Sequence, residues 1–193
     1  DPMTPYYEEA GITIYHADAR DVLPTLADQS IDLVLTDPPY DIGADRGKPS
    51  SHDKSGFYRY AERREYPDTW DVRPKDAEII AVVNAARRAI LWGGNYFAHT
   101  LPPVRSWLVW DKLNTMPTFS DCELAWTNLP RRNVKKFTLS GNGLMAVETD
   151  RVHPTQKPVA LMSWCIGFMP DAVTILDPFM GSGTTLVAAK QLG

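Results

Sequence analysis

Only two cysteines, Cys122 and Cys165, stand in the 193 residues, too few and too far apart for a disulfide framework or a cysteine metal cluster. No apolar run approaches the length of a membrane span, and there is no internal repeat or low-complexity tract. An excess of positive charge is missing too: 20 Lys and Arg against 24 Asp and Glu give a net charge of -4. Any contact with a polyanion must therefore come from a local patch, not from the overall field. What the sequence does have is 44% hydrophobic residues, enough for the core of one ordinary domain. We read residues 1–193 as one reduced, cytoplasmic domain without a membrane segment or a metal site.

Along the chain, short apolar runs alternate with helical periods. Ile12 to His16 reads as a strand, followed by a brief helix from Asp21 to Leu26 with Val22, Leu23 and Leu26 inward. Ile31 to Thr36 is a buried strand that stops at Asp37-Pro38-Pro39-Tyr40, where paired prolines forbid further sheet bonding. A polar, Gly- and Ser-containing stretch from about 41 to 74 is long for a loop, and loops of that length are usually functional or mobile. Asp76 to Ala89 has helical spacing, with Asp76 as a cap. Ala89–Trp92, Trp107–Trp110 and Glu123–Trp126 read as strands. About 129–152 lacks an apolar period and reads as a small target-recognition insert. Beyond it come a helix starting near Pro158 with Leu161, Trp164, Cys165 and Phe168, a strand Val173–Leu176, a glycine turn, and a helix from Thr184. Repeated strand-helix units predict an α/β fold with a doubly wound, mainly parallel sheet.

Two motifs carry chemistry. Asp177-Pro178-Phe179-Met180-Gly181-Ser182-Gly183-Thr184-Thr185 lies between a strand and a helix, where bare backbone and helix N–H groups can approach a ligand. A P-loop would need lysine where Thr184 stands, and a dinucleotide fingerprint would need a third spaced glycine. A plain helix entrance is the competing explanation of this turn. The second motif is Asp37-Pro38-Pro39-Tyr40. An exocyclic amine is a poor nucleophile because its lone pair is delocalised into the base. The Asp37 carboxylate and the Pro38 carbonyl could accept its two N–H groups, and the charge growing on nitrogen would meet a negative group. Pro38 and Pro39 hold the acceptors rigidly, and Tyr40 offers a ring for a base taken out of its stack.

With these motifs in this order, the sequence resembles the beta-class DNA amino-methyltransferases, the circularly permuted group in which the catalytic motif precedes the cofactor motif. His16-Ala17-Asp18-Ala19, Trp110-Asp111-Lys112 and the unbroken His153-Pro154-Thr155-Gln156-Lys157-Pro158 match further family motifs, so the similarity spans nearly the whole chain. It implies the class I S-adenosylmethionine-dependent methyltransferase fold in permuted form and S-adenosyl-L-methionine as cofactor. Asp18 and Ala19 would lie beside the cofactor's adenine, Thr155 and Lys157 near its methionine end, and Asp177 and Phe179 to Thr184, including Gly181, Ser182 and Gly183, around methionine and ribose. Asp37 would sit between cofactor and base. The family has a further strand with an acidic, ribose-binding end, which is expected beyond Gly193.

Double-stranded DNA is the implied partner, as in restriction-modification systems. Its phosphates would meet Arg131, Arg132, Lys135 and Lys136 of the insert, or Arg59, Arg63 and Arg64 of the long loop. The small insert implies a short target sequence or help from a second subunit in a homodimer. Cytosine C5 chemistry needs a cysteine nucleophile after a proline, and neither cysteine follows one. By the resemblance, Asp at the first catalytic position points to adenine N6. Cytosine N4 methylation and a catalytically silent DNA-binding module of the same fold are the alternatives.

Overall fold

The computed structural model describes residues 4–41, 71–113, 120–140 and 156–193. Arg59, Arg63, Arg64, Thr155, most of the long loop and the second half of the expected insert lie outside the described residues.

The elements are β1 (Tyr7–Glu9), β2 (Ile12–Ile14), α1 (Ala19–Val22), β3 (Ile31–Thr36), α2 (Asp76–Asn84), β4 (Ala86–Trp92), β5 (Trp107–Asp111), β6 (Cys122–Thr127), β7 (Lys135–Thr138), α3 (Val159–Ile166), β8 (Ile175–Leu176) and α4 (Thr184–Leu192). Tight 3-10 turns follow α1 at Leu23–Thr25 and β4 at Gly94–Phe97. Six strands form one sheet in the order β7-β5-β6-β4-β3-β8. Within it β6 runs against its neighbours β4 and β5, while β3 is parallel to β4 and β8, and β5 to β7. This is the mainly parallel α/β arrangement expected.

Side chains alternate across a strand, and β3 shows it. Leu33 and Leu35 enter a core with Leu161, Met162 and Cys165 of α3 and Ala188 of α4. Val34 enters the opposite core, with Ile79 and Val82 of α2, Phe97 and Trp126. Helices thus cover both faces, and cutting Leu35 back to Ala would cost about 2–5 kcal/mol.

Four elements depart from the sequence reading. The strand at Ile12 does not join the main sheet. It pairs with β1 through a turn in which Ala10 and Gly11 have φ of 51° and 78°, the twist that suits a two-residue hairpin. Helix α2 stops at Asn84, because the chain from Ala86 pairs with β3 from Ile31 onward, and the apolar spacing of Ala86, Ala89 and Ile90 suits either period. Its cap is Lys75, whose N–H donates to the Glu78 carboxylate at 3.0 Å; Asp76 stands in the first turn and pairs with Arg73. Lys135–Thr138, inside the segment read as irregular, forms the edge strand β7. Finally, β8 is shorter than expected, since the backbone N–H groups of Val173 and Thr174 donate to the Asp32 carboxylate at 3.0 Å instead of extending the ladder.

Parallel pairing places the C-terminal ends of β3, β4 and β8 at one edge of the sheet. The reversed strand β6 begins at that edge. In open α/β sheets ligands bind there.

Candidate active site

Asp37 leaves the end of β3 and Asp177 the end of β8, side by side. Thr36 Oγ1 donates to Asp177 Oδ1 at 2.6 Å, and the Phe179 N–H donates to the same oxygen at 3.2 Å. One hydroxyl thus couples the Asp37 segment to the glycine turn.

Both Asp37 oxygens are engaged. The Tyr40 hydroxyl donates to Oδ1, and Lys157 Nζ lies 2.5 Å from Oδ2. Lys157, from the segment leading into α3, also lies 2.9 Å from Glu123 Oε2 of β6, and Lys112 pairs with Glu123 Oε1. The cluster is a chain of alternating charge: Lys112, Glu123, Lys157, Asp37, ending on the Tyr40 phenol. The Lys157 side chain is only 6% exposed, so its charge depends on these partners.

Electrostatics follow from this packing. Burial raises the Asp37 carboxyl above its usual range although Lys157 beside it pulls the other way. Burial also raises the Tyr40 phenol well above its ordinary value, with Asp37 adding to the effect. For Glu123, burial opposes ionisation, but Lys157 and Lys112 outweigh it and hold the carboxyl down at about 2. For Lys157, burial is outweighed by Asp37 and Glu123, and the ammonium is held above its usual value. Burial pushes Asp177 up to about 6.

Tyr40 is fixed on several sides. Its ring stacks on Tyr96 at a centroid separation of 4.7 Å and 15°, and meets the edge of Phe97. Its backbone N–H donates to Asp71 Oδ1 at 3.1 Å, and so does that of Asp41 at 3.0 Å. Asp71 thereby binds the start of the long loop to its end, at the edge where Asp37 stands.

The glycine turn has the backbone a close ligand approach requires. Gly181 and Gly183 have φ of 50° and 79°, and a Cβ on either would meet no atom of the described residues within 4 Å. Gly183 is the N-cap of α4 without a side-chain cap, and Ser182 and Thr184 hydroxyls lie 3.3 Å apart beside it. These residues fit an adenosine-type ligand. Phe179, Tyr40 and Ala19 all pack against the α2-side core. Asp18 caps α1 on the surface, accepting from the Arg20 N–H at 2.9 Å and from its guanidinium. Arg20 lowers its carboxyl to about 2.

The cationic candidates are divided. Arg131 and Arg132 follow the end of β6, at the edge opposite Asp37, and Arg131 lies over the Phe168 ring at 4.9 Å, just past the far end of α3. Lys135 and Lys136 are on β7, and Lys136 Nζ pairs with Asp111 at 2.9 Å. The structure does not bring Arg131 and Arg132 to the catalytic edge.

Glu123, Asp71, Tyr96 and Thr36 were not singled out by sequence reasoning. Glu123 left one signal, a carboxylate inside an otherwise apolar strand run; the others left none.

Comparison with known proteins gives the following. A family profile described as DNA methylase, of the N6/N4 methyltransferase type, matches residues 109–193. The type II methyltransferase M.ScaI of Streptomyces caespitosus is 24% identical over 241 residues, covering 98% of this chain and 77% of the relative. The type II methyltransferase M2.DpnII of Streptococcus pneumoniae is 27% identical over 229 residues, covering 98% and 84%. A solved structure of TTHA0409 from Thermus thermophilus, complexed with S-adenosyl-L-methionine, aligns over 92% of this chain and 84% of that one, with 16% identity and a TM-score of 0.47. The profile match and the two type II methyltransferases support a DNA methyltransferase.

Proposed function

We propose that this chain transfers a methyl group from S-adenosyl-L-methionine to adenine N6 of a base rotated out of duplex DNA. The observation that carries the reading is Asp37, a largely buried carboxylate at the C-terminal edge of β3, coupled through Thr36 and Asp177 to the glycine turn. The donor supplies an electrophilic methyl on a sulfonium. Gly181, Gly183 and the start of α4 would hold it with bare backbone, and Lys157, beside Asp37, would be a cation for its carboxylate. Asp37 and the Pro38 carbonyl accept the two amine N–H groups and favour a tetrahedral nitrogen whose lone pair is free to attack. The N–C bond would form as the C–S bond breaks, its electrons staying on sulfur, and one amine proton would pass to the Asp37 carboxylate and on to solvent. Asp37 opposes the positive charge on nitrogen through this step.

The chain order, with β3 and Asp37 before β8 and the glycine turn, supports the permuted beta-class reading. For DNA contact, Arg59, Arg63 and Arg64 belong to the segment whose flanks, Asp41 and Asp71, meet at the catalytic edge, which favours them over Arg131 and Arg132. Transfer of a tritiated methyl onto DNA, followed by nucleoside analysis, tests the reading. N6-methyladenine is expected. N4-methylcytosine would move the acceptor to the other amine, and no transfer would leave a binding module.

A further inference from the structure

Lys157 has two anionic partners where one would neutralise it. Its Nζ lies 2.5 Å from Asp37 Oδ2 and 2.9 Å from Glu123 Oε2. Glu123 is itself gripped from behind, because Lys112 pairs with Oε1 while lying over the Trp110 ring at 5.1 Å. The register explains how Glu123 arrives there. In β6, Ala125 pairs with Trp92 at the end of β4, so Glu123, two residues earlier, extends beyond that end on the α3 side of the sheet. Glu123 Oε2 is buried, with Lys157 Nζ beside it at 2.9 Å.

A buried ammonium with a single carboxylate partner is locked to it, because leaving would strand both charges. Asp37 cannot serve an incoming amine while it is the sole neutraliser of Lys157. We propose that Glu123 is a positioning residue for methyl transfer: held by Lys112, it keeps Lys157 in place and paired, so that Asp37 can exchange the lysine for the substrate amine. This rests on the reading of Asp37 as the acceptor of the amine. Glu123 touches no reacting atom and acts through Lys157.

The groups facing Asp37 are Tyr40 from its own segment, Lys157 ahead of α3, Glu123 of β6 and Asp177 at the end of β8, with Lys112 behind Glu123. Removing the Glu123 charge leaves Lys157 to Asp37 alone, which tightens that pair and makes Asp37 harder to protonate. Removing the Lys112 charge has the opposite sign: Glu123 takes a larger share of Lys157, and Asp37 becomes easier to protonate.

The experiment uses the chain with Glu123→Gln or Lys112→Met, following steady-state methyl transfer and the 13C NMR titration of the Asp37 carboxyl carbon. In Glu123→Gln, kcat should fall about tenfold or more with the KM for DNA little changed, the scale of one charge-assisted hydrogen bond missing from the transition state. The Asp37 midpoint should move down in Glu123→Gln and up in Lys112→Met, by about one pH unit each. A merely structural glutamate would lower the melting temperature without these opposite shifts. Unchanged kcat in folded Glu123→Gln, or midpoints that move the same way or not at all, overturns the proposal. If Glu123→Gln fails to fold, the midpoint in Lys112→Met decides. A parent chain that methylates no DNA would refute the function proposed above, while the midpoints still decide the role of Glu123.

Discussion

Gly93 makes room for Tyr40: a Cβ on Gly93 would stand only 2.0 Å from the tyrosine ring, and Gly93 itself has a φ of 67°. A glycine therefore has to follow β4 for Tyr40 to keep both its hydroxyl contact with Asp37 and its stack on Tyr96. Gly93→Ala should cost about 1–3 kcal/mol in denaturant unfolding, from left-handed backbone strain plus displacement of the ring. It should also lower methyl transfer at least about tenfold. A variant with parental stability and turnover would show that Tyr40 is not held by this contact.

Asp37→Ala should abolish methyl transfer while the fold persists, because it removes an acceptor whose value lies mainly in the transition state. Asp37→Asn should be severe as well, since an amide offers one acceptor and no charge, and it leaves Lys157 with Glu123 as its remaining carboxylate. Near-parental turnover in either variant would remove Asp37 from the mechanism; circular dichroism on the same samples controls for folding.

The parts that were legible in the sequence are those whose signal is local. Ile31–Thr36 and Trp107–Trp110 are apolar runs between breakers, and Asp37-Pro38-Pro39-Tyr40 and the Gly181–Gly183 turn each mark a strand end within a few residues. Lys135–Thr138 escaped because an edge strand with one exposed face carries few apolar residues, and its pairing partner β5 lies far back in the chain. Glu123, Asp71 and Tyr96 escaped for a related reason. Each reaches the site through a register or a loop closure that brings distant segments together, and a single side chain in a strand or turn has no period to reveal it.

Asp177 makes stability depend on pH. Its folded value of about 6, raised by burial, lies above the unfolded value near 4. The folded state thus binds the proton more tightly, so this contribution is fully present below about pH 4 and lost as pH rises through about 6. Asp177→Asn, which keeps an acceptor for Thr36, should remove that dependence and stabilise the protein at pH 7 by on the order of 2 kcal/mol. The difference between parent and variant across pH 4–7 is the measurement, because paired carboxylates such as Asp32 and Asp111 drift with the opposite sign in both. A constant difference would show that Asp177 does not titrate in this range.

Gly181→Val and Gly183→Val should weaken S-adenosyl-L-methionine binding at least about tenfold in calorimetry, since a branched side chain would stand where bare backbone faces the ligand. The two sites differ from Gly93 in that no atom of the described residues meets a Cβ there. The stability cost should therefore be limited to the strain of a positive φ, about 1–2 kcal/mol. Unchanged affinity in folded Gly181→Val would reduce the turn to a helix entrance.

The position of the cationic clusters decides what DNA binding should look like. Arg131 and Arg132 stand at the sheet edge opposite Asp37, at least the length of α3 away, and Lys136 is already paired with Asp111. By the proposed reading, a duplex delivering a base to Asp37 would pass the other edge, where Asp41 and Asp71 bracket the segment containing Arg59, Arg63 and Arg64. Every phosphate that is no longer neutralised should reduce the log-log salt slope by roughly 0.9 on duplex DNA. Replacing Arg59, Arg63 and Arg64 with Ala should thus flatten the slope by roughly 2–3 and weaken all sequences alike, with cofactor affinity unchanged. The Arg131→Ala, Arg132→Ala pair should leave the slope as it was. Filter binding across a salt series reads both, and the reverse pattern would mean that the duplex wraps beyond the catalytic edge to reach the end of β6.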